Sequence, residues 1–428
     1  MISKNKIILS LFILITNLFS IKANAQVIDF DLNKALEKYT FIKTDSNLIH
    51  NDSIALQVLF EKLYKLQSTA QGRVNIVHIG DSHLQADFFS GDIRQHFHFD
   101  FGNAGRGLIF PYRLANRSNE PIDYKTSSTV KWDYKRNVFP DQTLPIGLSG
   151  YTIKTSDTAA DITVWLKGQH GIDYSMNKLT IFHERNISNF DFSVYDSTHK
   201  EIGYVNMLSK SNTPFTSVLN FDNSYSKFII KPCPKDSSQS CAQIYGMLLE
   251  NGKPGVLYDM IGVNGAEYKH YNQSKYFIEQ MSYLNPDLVI VSLGTNEAFN
   301  YKGFTKQGFY SQIDSMITAI KKKNPGVCIL LTTPGDSFKR SGKRGRVKNP
   351  VVREVRNTII EYAMDHQLAW WDWYATCGGY GAMAKWYAAG MADRGRIHYS
   401  QKGYQIQGEL FYKAMMKVYA KYAKSKLN

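Results

Sequence analysis

Cysteine is scarce, with four in 428 residues. That is too few for a disulfide scaffold. Cys233 and Cys241 lie in a Pro/Ser-rich stretch and are the pair placed to close a small loop in an oxidising compartment; none of the four, with Cys328 and Cys377, stands at a metal-ligand spacing. Long apolar runs are scarce too. The leading one, Ile7 to about Phe19, is shorter than the roughly 18–20 residues that cross a bilayer, and no later segment is apolar enough to span, so stable membrane insertion is not expected. Acid is in short supply, with 37 Asp and Glu against 51 Lys and Arg for a net charge of +14. There is no internal repeat, which excludes a solenoid.

The apolar run belongs to a leader. Met1–Ala25 has Lys4 and Lys6, then the short apolar core, then Ala23-Asn24-Ala25, the three parts of a secretory signal peptide. No Cys follows for lipid attachment, so an exported, periplasmic or secreted chain starting near Gln26 is expected. Cleavage removes Lys4, Lys6 and Lys22 and no acid, taking the net charge from +14 to +11, which suits polyanionic envelope material. A nucleic-acid partner is not expected of an exported chain. The basic run Phe338–Lys348 reads as a solvated loop. With 43% hydrophobic residues a core is assured, and 24 Phe, 27 Tyr and 6 Trp permit sugar stacking.

Three textures follow the leader. Residues 26–72 carry amphipathic helix, as in Ser53–Gln67, where Leu56, Leu59, Phe60 and Leu63 recur at helical spacing. Residues 73–115 begin a strand–helix rhythm: Asn75–Ile79 as a buried strand, Gly80–His83 as a turn, Leu84–Phe97 as a helix. Residues 116–254 differ. Asp161–Lys167, Lys178–His183, Asp191–Tyr195, Lys227–Lys231 and Gln243–Leu249 are short strand-like runs between Asn, Ser, Asp and Gly, the pattern of a β-sandwich. The α/β rhythm resumes over 255–428, with strands at Val256–Val263, Asp287–Leu293, Val327–Thr333 and Leu368–Asp372. Helices are expected at Ala266–Leu284, Phe309–Lys323, Val352–His366 and Lys402–Ala420. Such alternation implies a parallel sheet covered on both faces, with the β-rich segment inserted into it.

Four loops at strand ends, where open α/β sheets place their sites, carry the chemistry. Gly80-Asp81-Ser82-His83 exposes a Ser hydroxyl at a helix N-terminus rich in free N–H groups, which suits a nucleophile; G-D-S is also a common turn with Ser as a helix cap. In Gly262–Ala266, Gly265 can present its N–H closely because it lacks a Cβ. In Gly294-Thr295-Asn296-Glu297, the Asn296 amide can donate to a developing oxyanion or form an Asx turn. His398, in Asp393–Ser400, can take a proton from a Ser if a carboxylate fixes its tautomer.

G-D-S, a Gly turn, G-x-N and a C-terminal Asp/His loop, in that order, resemble the SGNH (GDSL) hydrolase family, over Arg73–Leu114 and about Gly255–Ala420. Within it, Gly80–Tyr112, with His83 directly after the Ser and a later G-x-x-G-R-G-x-x-x-P stretch, is similar to the peptidoglycan O-acetylesterases. The resemblance implies a flavodoxin-like, three-layer α/β fold with an inserted jelly-roll-like sandwich that resembles a carbohydrate-binding module. It implies Ser82 as nucleophile and His398 as base. The oxyanion hole would be formed by the N–H groups of Ser82 and Gly265 and the amide of Asn296. Neither cofactor nor metal is expected, and the partner is an acetylated glycan, peptidoglycan or another polysaccharide.

One departure stands out. The family's acid sits three residues before the His, where this chain has Gly395; the nearest carboxylate is Asp393, five before. A bulged loop would bring Asp393 to the imidazole. Otherwise His398 works with Ser82 as a dyad, or Asp372 at a strand end substitutes. The departure also keeps open a glycan-binding protein with a degenerate hydrolase domain, and an O-acetyltransferase remains compatible with the same Ser and His. A two-metal phosphoesterase is disfavoured, because Asn296 is followed by Glu297 where a His is needed. Trp132 and Trp165 are candidate sugar-stacking residues, His83 a candidate for the pocket mouth, and Trp370, Trp371 and Trp373 for core or pocket wall.

Overall fold

Six strands form the central sheet: β1 (Ile49–His50), β2 (Arg73–Gly80), β3 (Gly255–Gly262), β4 (Leu288–Ser292), β5 (Cys328–Thr332) and β6 (Ala369–Trp371), in the spatial order β1-β6-β5-β4-β2-β3. All neighbours are parallel except the β1–β6 edge. The computed structural model describes residues 32–117, 120–207, 215–342 and 345–427, so the expected signal peptide lies outside the described residues.

Strand periodicity decides the layering, because alternate side chains point to opposite faces. From β2, Val74 and Ile76 enter one buried cluster while Val77 and Ile79 enter another. Helices α1 (Gln57–Thr69), α3 (Phe88–Phe101) and α6 (Gln401–Ser425) cover the first face through residues such as Leu63, Ile93 and Phe411. Helices α4 (Lys306–Lys323) and α5 (Val351–Asp365) cover the second through Ile313, Ile317 and Val355. The one-turn helix α2 (Ser82–Gln85) sits between β2 and α3. None of the helices among the described residues is long and apolar enough to cross a membrane.

Two antiparallel sheets lie between α3 and β3. One runs, in spatial order, through Glu201–Val205, Asp191–Asp196, Lys227–Cys233, Ile162–Leu166 and Tyr124–Ser127; the other is built around Met176–His183 and Ala242–Glu250. Val164, Phe228 and Ile230 of the first share one buried cluster with Ile153, Ile181 and Ile244 of the second. All five strand-like runs read from the sequence fall in these strands.

Several expectations are corrected. The helix expected at Leu84–Phe97 is broken at Asp87, whose φ of +58° is left-handed. The carboxylate there meets buried Arg94 and Arg106, which also hold Asp123; burying four charges is tolerable only when they pair, and that demand overrides helix continuity. The helix expected at Ala266–Leu284 is two short pieces, Tyr268–Asn272 and Phe277–Tyr283. Cys233 and Cys241 are free thiols. Trp132 is buried in the core and offers no face to a sugar, whereas Trp165 is 49% exposed. The basic run is largely exposed as expected, but Phe338–Arg340 and Arg346–Lys348 pair as a hairpin in place of a loop.

Candidate active site

Register places the functional loops. Gly80 at the end of β2 pairs with Gly262 of β3 on one side and Ser292 of β4 on the other. The turns carrying Ser82, Gly265 and Asn296 therefore leave the sheet at one level. Beneath them a polar ladder crosses the strands: the His78 ring binds Tyr258 Oη and Ser292 Oγ, each at 2.7 Å, and Thr332 donates to Ser292 Oγ at 2.8 Å. Burial pushes the His78 imidazole down to about 3, so it is a neutral structural link.

Ser82 opens α2, with Asp81 as the cap that accepts from the His83 N–H at 2.9 Å. Its Oγ lies 2.8 Å from His398 Nε2. On the other side of the ring, His398 Nδ1 faces Asp393 Oδ2 at 3.6 Å, with both side chains half-exposed.

The His loop shows how an acid five residues away reaches the ring. Ala392 bridges Tyr399 antiparallel, and the Asp393 N–H donates to the His398 carbonyl at 2.9 Å. Asp393 and His398 are thus cross-strand neighbours over a four-residue turn, with Arg396 left-handed at φ +53°. A Cβ on Gly395 would lie 2.7 Å from Asp393 Oδ2. The position that carries the acid in the family pattern is here the space the Asp393 carboxylate occupies. The basic hairpin supports this turn: Arg346 donates to the Gly395 carbonyl at 2.8 Å, and the Arg396 guanidinium lies between the rings of Phe338 and Tyr387.

The N–H groups of Ser82 and Gly265 have no hydrogen-bond partner among the described residues. Asn296 differs: its Nδ2 donates to the Ala266 carbonyl at 2.9 Å and to Asp81 Oδ2 at 3.2 Å. Asp372 is not at the site. It pairs with Arg356, accepts from Thr333 and caps the Ala375 N–H, so the substitute-acid reading fails. His83 packs its ring 5.0 Å from that of His398 and binds Tyr404 Oη through Nδ1 at 2.9 Å. Burial, then the neighbouring His398, holds it well below the ordinary histidine range, so it stays neutral. Trp371 and Trp373 are core, and Trp370 stacks on His50.

Sequence reading missed Gln85, whose Oε1 accepts the Asn264 N–H at 2.9 Å and so fixes the Gly265 turn. It also missed the contribution of the antiparallel sheets: Arg136 reaches the Asn264 carbonyl at 3.4 Å, and Val138 Cγ1 stands 4.0 Å from where a Cβ on Gly265 would lie. Contacts of this kind join residues far apart in the chain and leave no local pattern.

Two acids under the site are pushed above the ordinary carboxylate range. Burial raises Asp81 to about 7 and Glu297, beside Asn296, to about 8. The unfolded value for Glu is about 4.3, so between roughly pH 4 and 8 the folded chain holds a proton that the unfolded chain lacks. Stability from this group is therefore lost as pH rises through that window and is level above it. Glu297→Gln keeps the acceptor for the Tyr268 N–H and removes the titration. Thermal unfolding should show the variant gaining on the wild type by several degrees between pH 5 and pH 8.5; parallel curves would contradict the assignment.

Comparison with known proteins agrees with this architecture. Residues 233–406 match the GDSL-like Lipase/Acylhydrolase family, a stretch that includes Gly265, Asn296 and His398 and not Ser82. No curated protein matches the sequence. Among solved structures, a peptidoglycan O-acetylesterase is similar over 86% of this chain and 97% of its own, at 21% identity and a TM-score of 0.69. A lipase/acylhydrolase from Enterococcus faecalis is 24% identical over 38% of this chain and 76% of its own, at TM-score 0.28. An acetyl xylan esterase is 17% identical over 37% and 81%, at 0.30. With the matched stretch, the parallel sheet and the Ser82–His398 pair in view, the chain is similar to the GDSL-like lipases and acylhydrolases and shares their α/β fold.

Proposed function

We propose that the chain is exported and removes O-acetyl groups from peptidoglycan or a related envelope glycan, with Ser82 as nucleophile, His398 as base and Asp393 as the acid that orients it. The observation that carries this is the 2.8 Å contact of Ser82 Oγ with His398 Nε2, backed by Asp393 across the turn. His398 takes the Ser82 proton at Nε2 as Oγ attacks the acetyl carbonyl. Asp393 favours the tautomer with its proton on Nδ1 and stabilises the imidazolium. The oxyanion is held by the N–H groups of Ser82 and Gly265 and by the Asn296 amide, which gives up its longer bond to Asp81. Collapse returns the proton to the departing sugar oxygen and leaves acetyl-Ser82; water, deprotonated by His398, releases acetate and restores Ser82.

Substrate class rests on the end-to-end likeness to a peptidoglycan O-acetylesterase and on the surface of the inserted sheets, which we read as a carbohydrate-binding-like module spanning 116–254 and splitting the hydrolase domain (73–115 and 255–428). There Trp165 stands between Lys125 and Lys227 in register, with Lys167 Nζ 5.5 Å from its ring. An exposed ring among cations suits a sugar bearing carboxylates.

A fluorophosphonate tests the nucleophile. Tryptic mass spectrometry should find one adduct, on Ser82, absent from Ser82→Ala; an adduct elsewhere, or none on folded protein, would contradict the assignment. Gly395→Ala pushes Asp393 off the imidazole and should lower kcat about 10- to 100-fold, as should Asp393→Asn, less than the roughly 10⁴ typical of a buried triad acid. Unchanged kcat in both would make the site a Ser–His dyad.

A further inference from the structure

A second cluster of ligand-type side chains lies behind the site. Asp92 and His96 are one turn apart on α3, and Glu409 faces them from α6. His96 Nε2 is 3.0 Å from Glu409 Oε1 and 3.9 Å from Asp92 Oδ2, and the three donor atoms lie within 4.8 Å of one another. The His96 ring is stacked on Tyr412 at 4.7 Å, which fixes its orientation. Asp92 Oδ2 is buried without a hydrogen-bond partner, and only 7% of the side chain is exposed. A buried carboxylate oxygen left unsatisfied beside a second carboxylate is costly, and protonation is one relief. A cation held between the carboxylates and the imidazole is the other, and it satisfies all three groups at once.

We propose that Asp92, His96 and Glu409 form a binding site for a divalent transition-metal ion of the zinc type. One imidazole and two carboxylates are a donor set such an ion accepts. Bond lengths of about 2.0–2.2 Å in a tetrahedral shell imply donor separations of roughly 3.4 Å, so small side-chain rotations of Asp92 and Glu409 close the set. Asp92 also lines a cavity of about 260 Å³ with Gln95, Gln401 and Gln405, an entry path and a source of water for the fourth position. The ion takes no part in the ester chemistry. It joins α3, which follows Ser82, to α6, which follows His398, and so clamps the two helices behind the reacting pair. The proposal does not depend on the esterase reading.

Titrating chelator-treated protein with Zn²⁺ by calorimetry, with thermal unfolding alongside, tests it. One ion should bind per chain and raise Tm. His96→Gln and Glu409→Gln should each weaken binding at least about tenfold, the range for loss of a metal-site group. His398→Ala, which removes the imidazole at Ser82, should leave it intact. Absence of saturable binding, or binding lost in His398→Ala and kept in His96→Gln, overturns the proposal. Should the variants fail circular dichroism, crystals of the wild type soaked in Co²⁺ decide it: an anomalous peak between His96 and Glu409 supports the site, and a peak elsewhere or none rejects it.

Discussion

Ser82→Ala is expected to lower kcat on an acetyl ester by about 10⁴- to 10⁶-fold, with His398→Ala close behind and the double variant scarcely worse than either. The two groups are expected to act as one unit. Ser82 without a base at 2.8 Å is a weak nucleophile, and His398 without the hydroxyl has only water to activate. Residual turnover should come from the N–H groups at the start of α2 and the Gly265 turn, which neither substitution removes. Neither should affect folding greatly, because both side chains are partly exposed. Additive losses would mean that the groups serve separate steps.

Asn296→Ala should cost about 10²- to 10³-fold in kcat, or about 2.7–4 kcal/mol, with KM little changed, since an oxyanion donor acts on the transition state. This chain adds a particular test. The Asn296 amide is shared between the Ala266 carbonyl and Asp81, so its truncation also frees the buried Asp81 carboxylate. Phosphonate labelling of Ser82 should slow in parallel with kcat, because that reaction builds the same negative oxygen. A drop in kcat with labelling unchanged would assign Asn296 to anchoring Asp81 rather than to the oxyanion.

Much of the fold was legible because its signals are local. Apolar strands such as Asp287–Leu293 alternating with helices mark a parallel sheet, and the change of texture after residue 116 marks the antiparallel strands. The proximity of the four loops was legible only through their order in the chain. What escaped reading depends on partners remote in sequence. Asp87 breaks a helix because Arg94, Arg106 and Asp123 gather around it. Asp393 reaches His398 because the turn closes antiparallel and Gly395 leaves room, a geometry that residue spacing alone left between three outcomes. Arg346, in the run read as a solvated loop, donates to a carbonyl of that turn, and Arg396 packs on two aromatic rings beside it.

Acetate release from O-acetylated peptidoglycan, with acetylated xylan in parallel, comparing the mature protein with Ser82→Ala, tests the proposed activity most directly. Release from peptidoglycan that disappears in the variant is expected. Release from xylan alone would keep the chemistry and contradict the substrate. No release from either by folded protein would contradict the proposed esterase outright.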